Sequence, residues 1–142
     1  MKLAIVLLFG ITINANAGDI CQKRYKEYSI CEAAKVVSDQ LAELLPVKID
    51  STTTIVAAIP MKNIVNLVAK TEYTEKSFRD EIGDEKDTLL FFSETITKNL
   101  RQNICNSSPL NHDFINAGGA INYRFTYQND KPLIFVMIDS CN

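Results

Sequence analysis

Apolar side chains recur at helical spacing in the segment that follows Ser29. They stand three or four residues apart, which places them on one face of a helix, and they are Ile30, Ala34, Val37, Leu41 and Leu44. Ser29 and Glu32 have the types and spacing of a capping box at the start of that helix. Because proline cannot continue a helix, the pattern predicts one that ends before Pro46.

A second amphipathic helix is predicted from Asp87 or Thr88, either of which can cap its first turn. Its apolar side chains share one face, with Cys105 just past the end, and they are Leu89, Phe92, Ile96 and Leu100. The two long helices are therefore expected to cover the core with these stripes.

A short third helix is predicted between the second long helix and the last strands. Ser108 is its cap, and Pro109 occupies the first helical position, where the missing N–H costs nothing. Gly118 or Gly119 ends it, since glycine readily adopts the left-handed conformation of a helix C-cap.

Two segments in the first half of the chain are rich in β-branched residues and have no helical period. Residues 47–49 and 52–59 are predicted as a strand, residues 60–63 as a turn, and residues 63–73 as the returning strand. This half therefore contains one β-hairpin.

A second hairpin is predicted at the end of the chain. Residues 120–127 alternate, so one face of that strand carries Ile121, Tyr123, Phe125 and Tyr127. Residues 133–139 form a continuous apolar run, which is typical of a central strand with both faces covered.

The order of elements is helix, hairpin, helix, short helix, hairpin. It predicts an α+β fold in which two main helices and a short third helix pack on an antiparallel sheet of about four strands. The charged segment at residues 74–87 has no apolar period and is predicted as a solvated loop. Its acidic residues do not have the spacing of an EF-hand, so no metal site is expected there.

The first residues have the pattern of a secretory signal peptide. Lys2 supplies the positive charge, and residues 3–11 form an apolar stretch too short to span a membrane. Ala15 and Ala17 occupy the small-residue positions of a cleavage site. We predict a signal peptide over residues 1–17 and a single α+β domain over residues 18–142.

The composition argues against nucleic acid as a partner. The formal net charge is −2 at pH 7, and removal of the signal peptide takes away one lysine. No basic patch is left in the sequence to contact phosphate groups.

The 4 cysteines of an exported chain predict two disulfides, formed in the periplasm or an equivalent oxidising compartment. Three pairings are possible. A continuous helix between Cys21 and Cys31 would hold them about 15 Å apart, beyond disulfide reach. If these two pair, the chain must break near Ser29. The single histidine is far from any cysteine in sequence, which makes a zinc site a poor alternative.

His112 is the one candidate for acid–base catalysis. Asp113 stands beside it, but adjacent helical residues point about 100° apart, so the carboxylate cannot easily orient the ring. The sequence has no G-x-S-x-G motif to supply a nucleophile. We predict that the protein is not an enzyme and has no cofactor, and that His112 is a surface residue.

The second half of the chain contains several short motifs in a fixed order: LLPVKID, then NICNSSPLNHDFINAGGAINYRF, then the closing DSC. This segment, from Leu41 to Cys141, resembles the small α/β pilotins of bacterial type II secretion systems. The matching positions are Leu45-Pro46, Cys105, Gly118 or Gly119, Tyr123 and Cys141.

The resemblance implies a Cys105–Cys141 disulfide, which leaves Cys21 to pair with Cys31 and agrees with a chain break near Ser29. Pilotins of this kind are usually lipoproteins that travel to the outer membrane with a secretin subunit. Cys21 follows Asp19 and Ile20 instead of the small residue that lipidation requires, so no lipid anchor is expected.

These observations predict a soluble periplasmic binding or adaptor protein, similar to pilotins, that holds a segment of an envelope or secretion-complex protein such as a secretin. A periplasmic inhibitor, immunity or exclusion protein is an alternative from another class. A small hydrolase that uses His112 is a remote one.

The predicted partner contact is on the second long helix. Phe91 lies in line with Thr95 and Lys98, on the polar side, where a phenylalanine is out of place. With Leu90 it is predicted to form an exposed apolar patch that binds the partner. In the alternative, the loop at residues 74–87 folds over Phe91 and clusters with it through Phe78 or Ile82.

The exported form should begin at Gly18 and carry no modification. Intact-mass measurement of the protein purified from the periplasm checks this directly. A start at Cys21, or the added mass of a diacylglyceryl group, would contradict it and favour lipid-dependent escort of a secretin.

Overall fold

The structure is a computed structural model that describes residues 20–83, 85–107 and 109–142. The predicted signal peptide and its cleavage site lie outside these residues. After a 3-10 turn at Ile20–Gln22, the elements in chain order are β1 (Arg24–Tyr25), β2 (Tyr28–Ser29), α1 (Ile30–Leu44), β3 (Val47–Lys48), β4 (Thr53–Met61), β5 (Ile64–Thr71), α2 (Glu75–Ile82), α3 (Lys86–Ser107), α4 (Pro109–Asn116), β6 (Ala120–Thr126) and β7 (Pro132–Ile138).

Five strands form one sheet in the order β3-β4-β5-β6-β7. The α+β class is confirmed, but the sheet differs from the prediction in two places. A turn separates β3 from β4, which adds a fifth strand. The central pair, β5 and β6, is parallel, with Leu67 opposite Tyr123, whereas the other pairs are antiparallel. The reason is the connection from β5 to β6, whose three helices carry the chain back to the edge where β5 began.

Helix α1 begins at the predicted capping box and ends, as predicted, before Pro46. Ser29 Oγ accepts a hydrogen bond from the backbone N–H of Glu32, and the Glu32 carboxylate accepts one from the backbone N–H of Ser29. Small side chains on the inner face of α1 let it pack closely on β4 and β5. The buried residues of α1 are the small Ala33, Ala34 and Ser38 and, at its start, Ile30.

The core lies on one side of the sheet. Every second residue of β5 is buried, and the parallel register places the alternating apolar residues of β6 beside them. Helices α1, α3 and α4 contribute to the same cluster. Its main members are Ile30, Ala34, Val65, Leu67, Ile104, Phe114, Ile121, Phe125, Val136 and Ile138.

The other face of the sheet is open, and this corrects the prediction for the last strand. The run over residues 133–139 was expected to be a central strand with both faces covered, but β7 is an edge strand. Phe135 is 60% exposed, and Met137 is exposed as well. Ile59 and Met61 on β4 are likewise exposed. The run is uninterrupted because both faces of β7 are apolar, one packed on the core and the other exposed to solvent.

Helix α2 occupies part of the segment that was predicted as a loop. Thr74 Oγ1 accepts from the backbone N–H of Ser77, and Ser77 Oγ accepts from the backbone N–H of Thr74. The helix has no apolar period because a single side chain, the buried Phe78, fixes it to the core. The capping pair was readable in the sequence and was missed.

Helix α4 ends as predicted, at two glycines. Gly118 has a φ of 101°, which favours glycine, and its N–H donates to the Ile115 carbonyl at 2.9 Å. At Gly119 an added Cβ would lie 2.4 Å from the Phe114 ring. Only glycine allows the chain to pass this buried ring and enter β6 directly.

Both disulfides have the pairing that the resemblance implies. Cys21 and Cys31 have a Cα–Cα distance of 5.2 Å, which is possible because the hairpin of β1 and β2 turns the chain back before α1. Cys105 and Cys141 have a Cα–Cα distance of 5.7 Å. This second bridge joins the last turns of α3 to the segment after β7.

The Cys105–Cys141 bridge should contribute more stability than the Cys21–Cys31 bridge, because it closes 36 residues instead of 10. By the chain-entropy relation, the Cys105→Ser, Cys141→Ser variant should lose about 4 kcal/mol and the Cys21→Ser, Cys31→Ser variant about 3 kcal/mol. The first loss corresponds to a fall in Tm of roughly 10 °C or more. Thermal unfolding followed by circular dichroism measures both. An unaltered Tm in the first variant would contradict the assignment.

Candidate binding cleft

A cleft of about 540 Å³ opens on the helix-covered side of the sheet. One wall is α3, the floor is the sheet, and the connection from β3 to β4 borders it. The apolar residues that define it are Phe92, Ile96 and Leu100 on α3 and Tyr123, Phe125 and Ile134 on β6 and β7. Five of these belong to the one-sided apolar patterns predicted for the second long helix and the strand at residues 120–127, and Ile134 belongs to the continuous apolar run of the last strand.

The apolar stripe of α3 is only partly covered. Ile104, near the end that is bound by the Cys105–Cys141 bridge, is the one buried residue among the described side chains of α3. Phe92, Ile96 and Leu100 are half-buried and line the cleft. The stripe therefore serves two purposes, since one end packs in the core and the rest forms a wall.

Aromatic rings close one end of the cleft. Phe78 of α2 meets Phe92 edge-to-face, with ring centroids 5.1 Å apart. Tyr73 and Tyr127 also contact Phe78 edge-to-face, each at 5.9 Å. Because edge-to-face contacts fix the angle between rings, this cluster holds α2 against the start of the α3 wall.

Asp50 is the only charged side chain among the described residues that line the cleft. Its Oδ1 accepts hydrogen bonds from the backbone N–H of Thr52 at 2.7 Å and from Thr52 Oγ1 at 3.0 Å. Partial burial raises the pKa of Asp50, but the hydrogen bonds from Thr52 and Thr53 outweigh burial and lower the pKa below its usual value. The cleft therefore carries one negative charge at neutral pH.

Tyr123 forms part of the floor and is only 9% exposed. Its ring stacks on Phe125 with centroids 6.0 Å apart. Burial raises the pKa of the Tyr123 phenol, so the hydroxyl is protonated at neutral pH and can donate a hydrogen bond.

The predicted partner residues lie on another side of α3. Phe91 is 70% exposed, and Leu90 is exposed beside it. The alternative, in which residues 74–87 cover Phe91, is wrong, because Phe78 packs on Phe92 instead. One assignment on this helix was wrong. Leu89, in the first turn of α3, is 40% exposed, and the partly buried apolar stripe begins at Phe92.

Phe91 lies next to the cleft wall even though it is not part of it. A shallow depression on α3 is lined by Phe91, Thr95 and Asn99, among others. Asn99 also lines the cleft. A bound segment that crossed the rim at Asn99 would reach the exposed ring of Phe91. The partner-binding role of Phe91 and Leu90 stays a prediction.

His112 has only local neighbours. Its Nδ1 is 3.7 Å from Asp113 Oδ1 and 3.1 Å from Asn116 Nδ2, and its side chain is 45% exposed. It is not among the residues of the cleft. Within the described part of the chain, no cluster of three or more histidine, cysteine or acidic residues could hold a metal ion. No helix within it is long and apolar enough to cross a membrane.

Three solved structures have the same fold as this chain. A protein of Pseudomonas aeruginosa described as secreted is 13% identical, with a TM-score of 0.63 over 84% of this chain and 98% of that one. The pilotin EpsS of the Vibrio vulnificus type 2 secretion system is 14% identical, with a TM-score of 0.58 over 80% and 92%.

The third is the type II secretion pilotin AspS of Vibrio cholerae, 10% identical, with a TM-score of 0.55 over 77% of this chain and 87% of that one. None of the three is described as an enzyme. No protein-family model and no curated protein matches the sequence. The resemblance to pilotins is thus confirmed as a likeness of fold, at identities of 14% and 10%.

The cleft itself could not be seen in the sequence. Its walls consist of residues whose periodicity also fits a packed core, and an open stripe has the same pattern as a covered one. The one local signal was the hydroxyl of Tyr123, a polar group at a position that the alternation placed inside.

A pair of variants tests the exposure of α3. Phe91→Ala should leave Tm within about 2 °C of the wild type, because the ring is in solvent. Phe92→Ala removes the contact with Phe78 and should cost about 1 to 3 kcal/mol, less than a fully buried ring. Thermal melts measure both. A large fall in Tm for Phe91→Ala would show that its ring is covered.

Proposed function

We propose that this protein is a periplasmic adaptor, similar to pilotins, that binds a segment of an envelope or secretion-complex protein. The observation that carries the proposal is the cleft, where the apolar side chains of α3, β6 and β7 are left open to solvent. A partner segment would cover them and gain roughly 25 cal/mol for each Å² of apolar surface removed from water.

The shape of the cleft favours a peptide segment. It is bounded by a helix on one side and a sheet below, and its lining is mostly apolar. Apolar grooves of this kind bind amphipathic segments through a few anchoring side chains. The fold shared with EpsS and AspS, both described as pilotins, supports the same role.

Phe91 and Leu90 are proposed as a second contact for the same partner. Both are exposed on α3, and the depression beside Phe91 shares Asn99 with the cleft. A segment held in the cleft could extend over this rim, where an exposed aromatic ring is a typical anchor in an interface.

The proposed location is the periplasm, with a signal peptide removed after Ala17, no lipid anchor and no enzymatic activity. The two disulfides, which require an oxidising compartment, support it. The description of the Pseudomonas aeruginosa protein as secreted points in the same direction.

Two matched isoleucine variants test the proposal. Ile96→Gln places a polar side chain in the cleft, whereas Ile59→Gln makes the same change on the open face of the sheet. The tagged protein is cross-linked in intact cells of its own source, purified from the envelope fraction and analysed by mass spectrometry. We expect the wild type and Ile59→Gln to retain a common envelope protein and Ile96→Gln to lose most of it.

Equal Tm values for the two variants are needed for the comparison, and Ile96→Val provides a milder variant if the glutamine unfolds the protein. Loss of the partner in Ile59→Gln with retention in Ile96→Gln would overturn the assignment of the cleft. Failure of the wild type to retain any envelope protein would overturn the adaptor function.

A further inference from the structure

The hydroxyl of Tyr123 is a polar group on an apolar floor. The residue is 9% exposed and lines the cleft, where its nearest ring partner is Phe125. Among the described residues no group forms a hydrogen bond with the Tyr123 hydroxyl, and desolvation is the only influence on its pKa.

The Tyr123 hydroxyl is not among the fully buried unpartnered atoms of the described residues, so water in the cleft can reach it. A segment that covered the cleft would displace this water, and a buried O–H donor without an acceptor is destabilising. Phenylalanine would fill the same volume of the floor without that cost. An occupant that covers the floor is therefore expected to supply an acceptor for this hydroxyl.

The position of Tyr123 distinguishes it from the other unpartnered groups. Ser38 Oγ, Arg101 Nε and Thr126 Oγ1 are also without a hydrogen bond in the described part of the chain, but all three atoms are sealed from solvent. Tyr123 differs because its side chain faces the cleft. A group that enters the cleft can reach its hydroxyl, whereas the three buried atoms have no contact with solvent.

We propose that the Tyr123 hydroxyl donates a hydrogen bond to the segment that occupies the cleft, and so selects a segment with a hydrogen-bond acceptor among its apolar side chains. This inference rests on the proposed adaptor function. Suitable acceptors are the carbonyl of a glutamine or asparagine side chain and a hydroxyl oxygen of serine or threonine.

The charge of the cleft further restricts which segments can bind in it. Asp50 is the only charged side chain among the described lining residues, and it is ionised at neutral pH. An acidic side chain at that end of the segment would be repelled, and a lysine or arginine would be attracted. The occupant is therefore an apolar segment with a neutral acceptor at Tyr123 and no acidic residue near Asp50.

Two small probes of almost the same shape test the hydrogen bond without the natural partner. Acetophenone has a carbonyl oxygen where α-methylstyrene has a CH₂ group. Each is titrated into isotope-labelled protein, and the shifts of the NMR signals from cleft residues give a Kd. For Tyr123→Phe we expect the Kd of acetophenone to rise roughly three- to tenfold, as for the loss of one neutral hydrogen bond. The Kd of α-methylstyrene should change less than about twofold.

Tyr127→Phe is the matched control. It removes a phenol hydroxyl from the residue that follows β6, and Tyr127 does not line the cleft. Neither probe should lose affinity in this variant. Tyr123→Phe should also keep the wild-type Tm, since the hydroxyl it removes has no partner in the free protein.

An equal loss of affinity for both probes in Tyr123→Phe, or no loss for either, would overturn the inference. A fall in Tm would do the same, because it would mean that the hydroxyl is already bonded within the fold. If neither probe shifts the signals of cleft residues, the inference fails. The adaptor function is tested separately: if the wild type still retains an envelope protein in intact cells, that function stands and the partner binds through another contact.

Discussion

The parallel pairing of β5 with β6 is the constraint on which the rest of the structure depends. Parallel neighbours need a crossover connection, and here it contains α2, α3 and α4. The register places Leu67 beside Tyr123, so the apolar sides of both strands face the same layer of helices. Helix α1 packs on β4 and β5, and α3 packs on β7, to whose end the Cys105–Cys141 bridge joins it. The sheet between these two helices is not completely covered, and the cleft is the part of the helix layer that remains open.

The sequence predicts features that depend on near neighbours and misses those that depend on distant ones. The capping box at Ser29 and the glycine stop at Gly118 are local, and both were correctly predicted. Helix α2 is an exception in part: its capping pair at Thr74 and Ser77 is local, but the helix has no apolar period because one side chain, Phe78, attaches it through contacts that include the distant Tyr127. The direction of β6 relative to β5, and the edge position of β7, follow from the path of the crossover, which no periodicity records. The open state of the α3 stripe is likewise a property of packing, because a covered and an uncovered apolar stripe have the same sequence pattern.

The described residues form two exposed apolar surfaces besides the patch at Phe91, and the two differ in shape and composition. The open face of the sheet is broad and carries polar groups among its apolar ones, such as Asn66 and Asn122, whose side chains hydrogen-bond each other at 2.9 Å. Arg124 lies over the Phe135 ring on that face, with the guanidinium carbon 5.9 Å from the centroid. The cleft is concave and mostly apolar, with an unpartnered donor in its floor. Binding sites are typically concave and mostly apolar with a few polar groups that fix orientation, so the cleft is the surface that best fits the proposed adaptor function.

The most direct test of this account is site-specific photo-cross-linking in intact cells. A benzophenone amino acid replaces Asn99, which lines the cleft, or Met61, which is exposed on the open face of the sheet. We expect a defined cross-linked product of an envelope protein from position 99, none of it from position 61, and its disappearance when Ile96→Gln is combined with the probe at position 99. A product from position 61 alone, or one from position 99 that persists with Ile96→Gln, would contradict the claim that the cleft holds the partner.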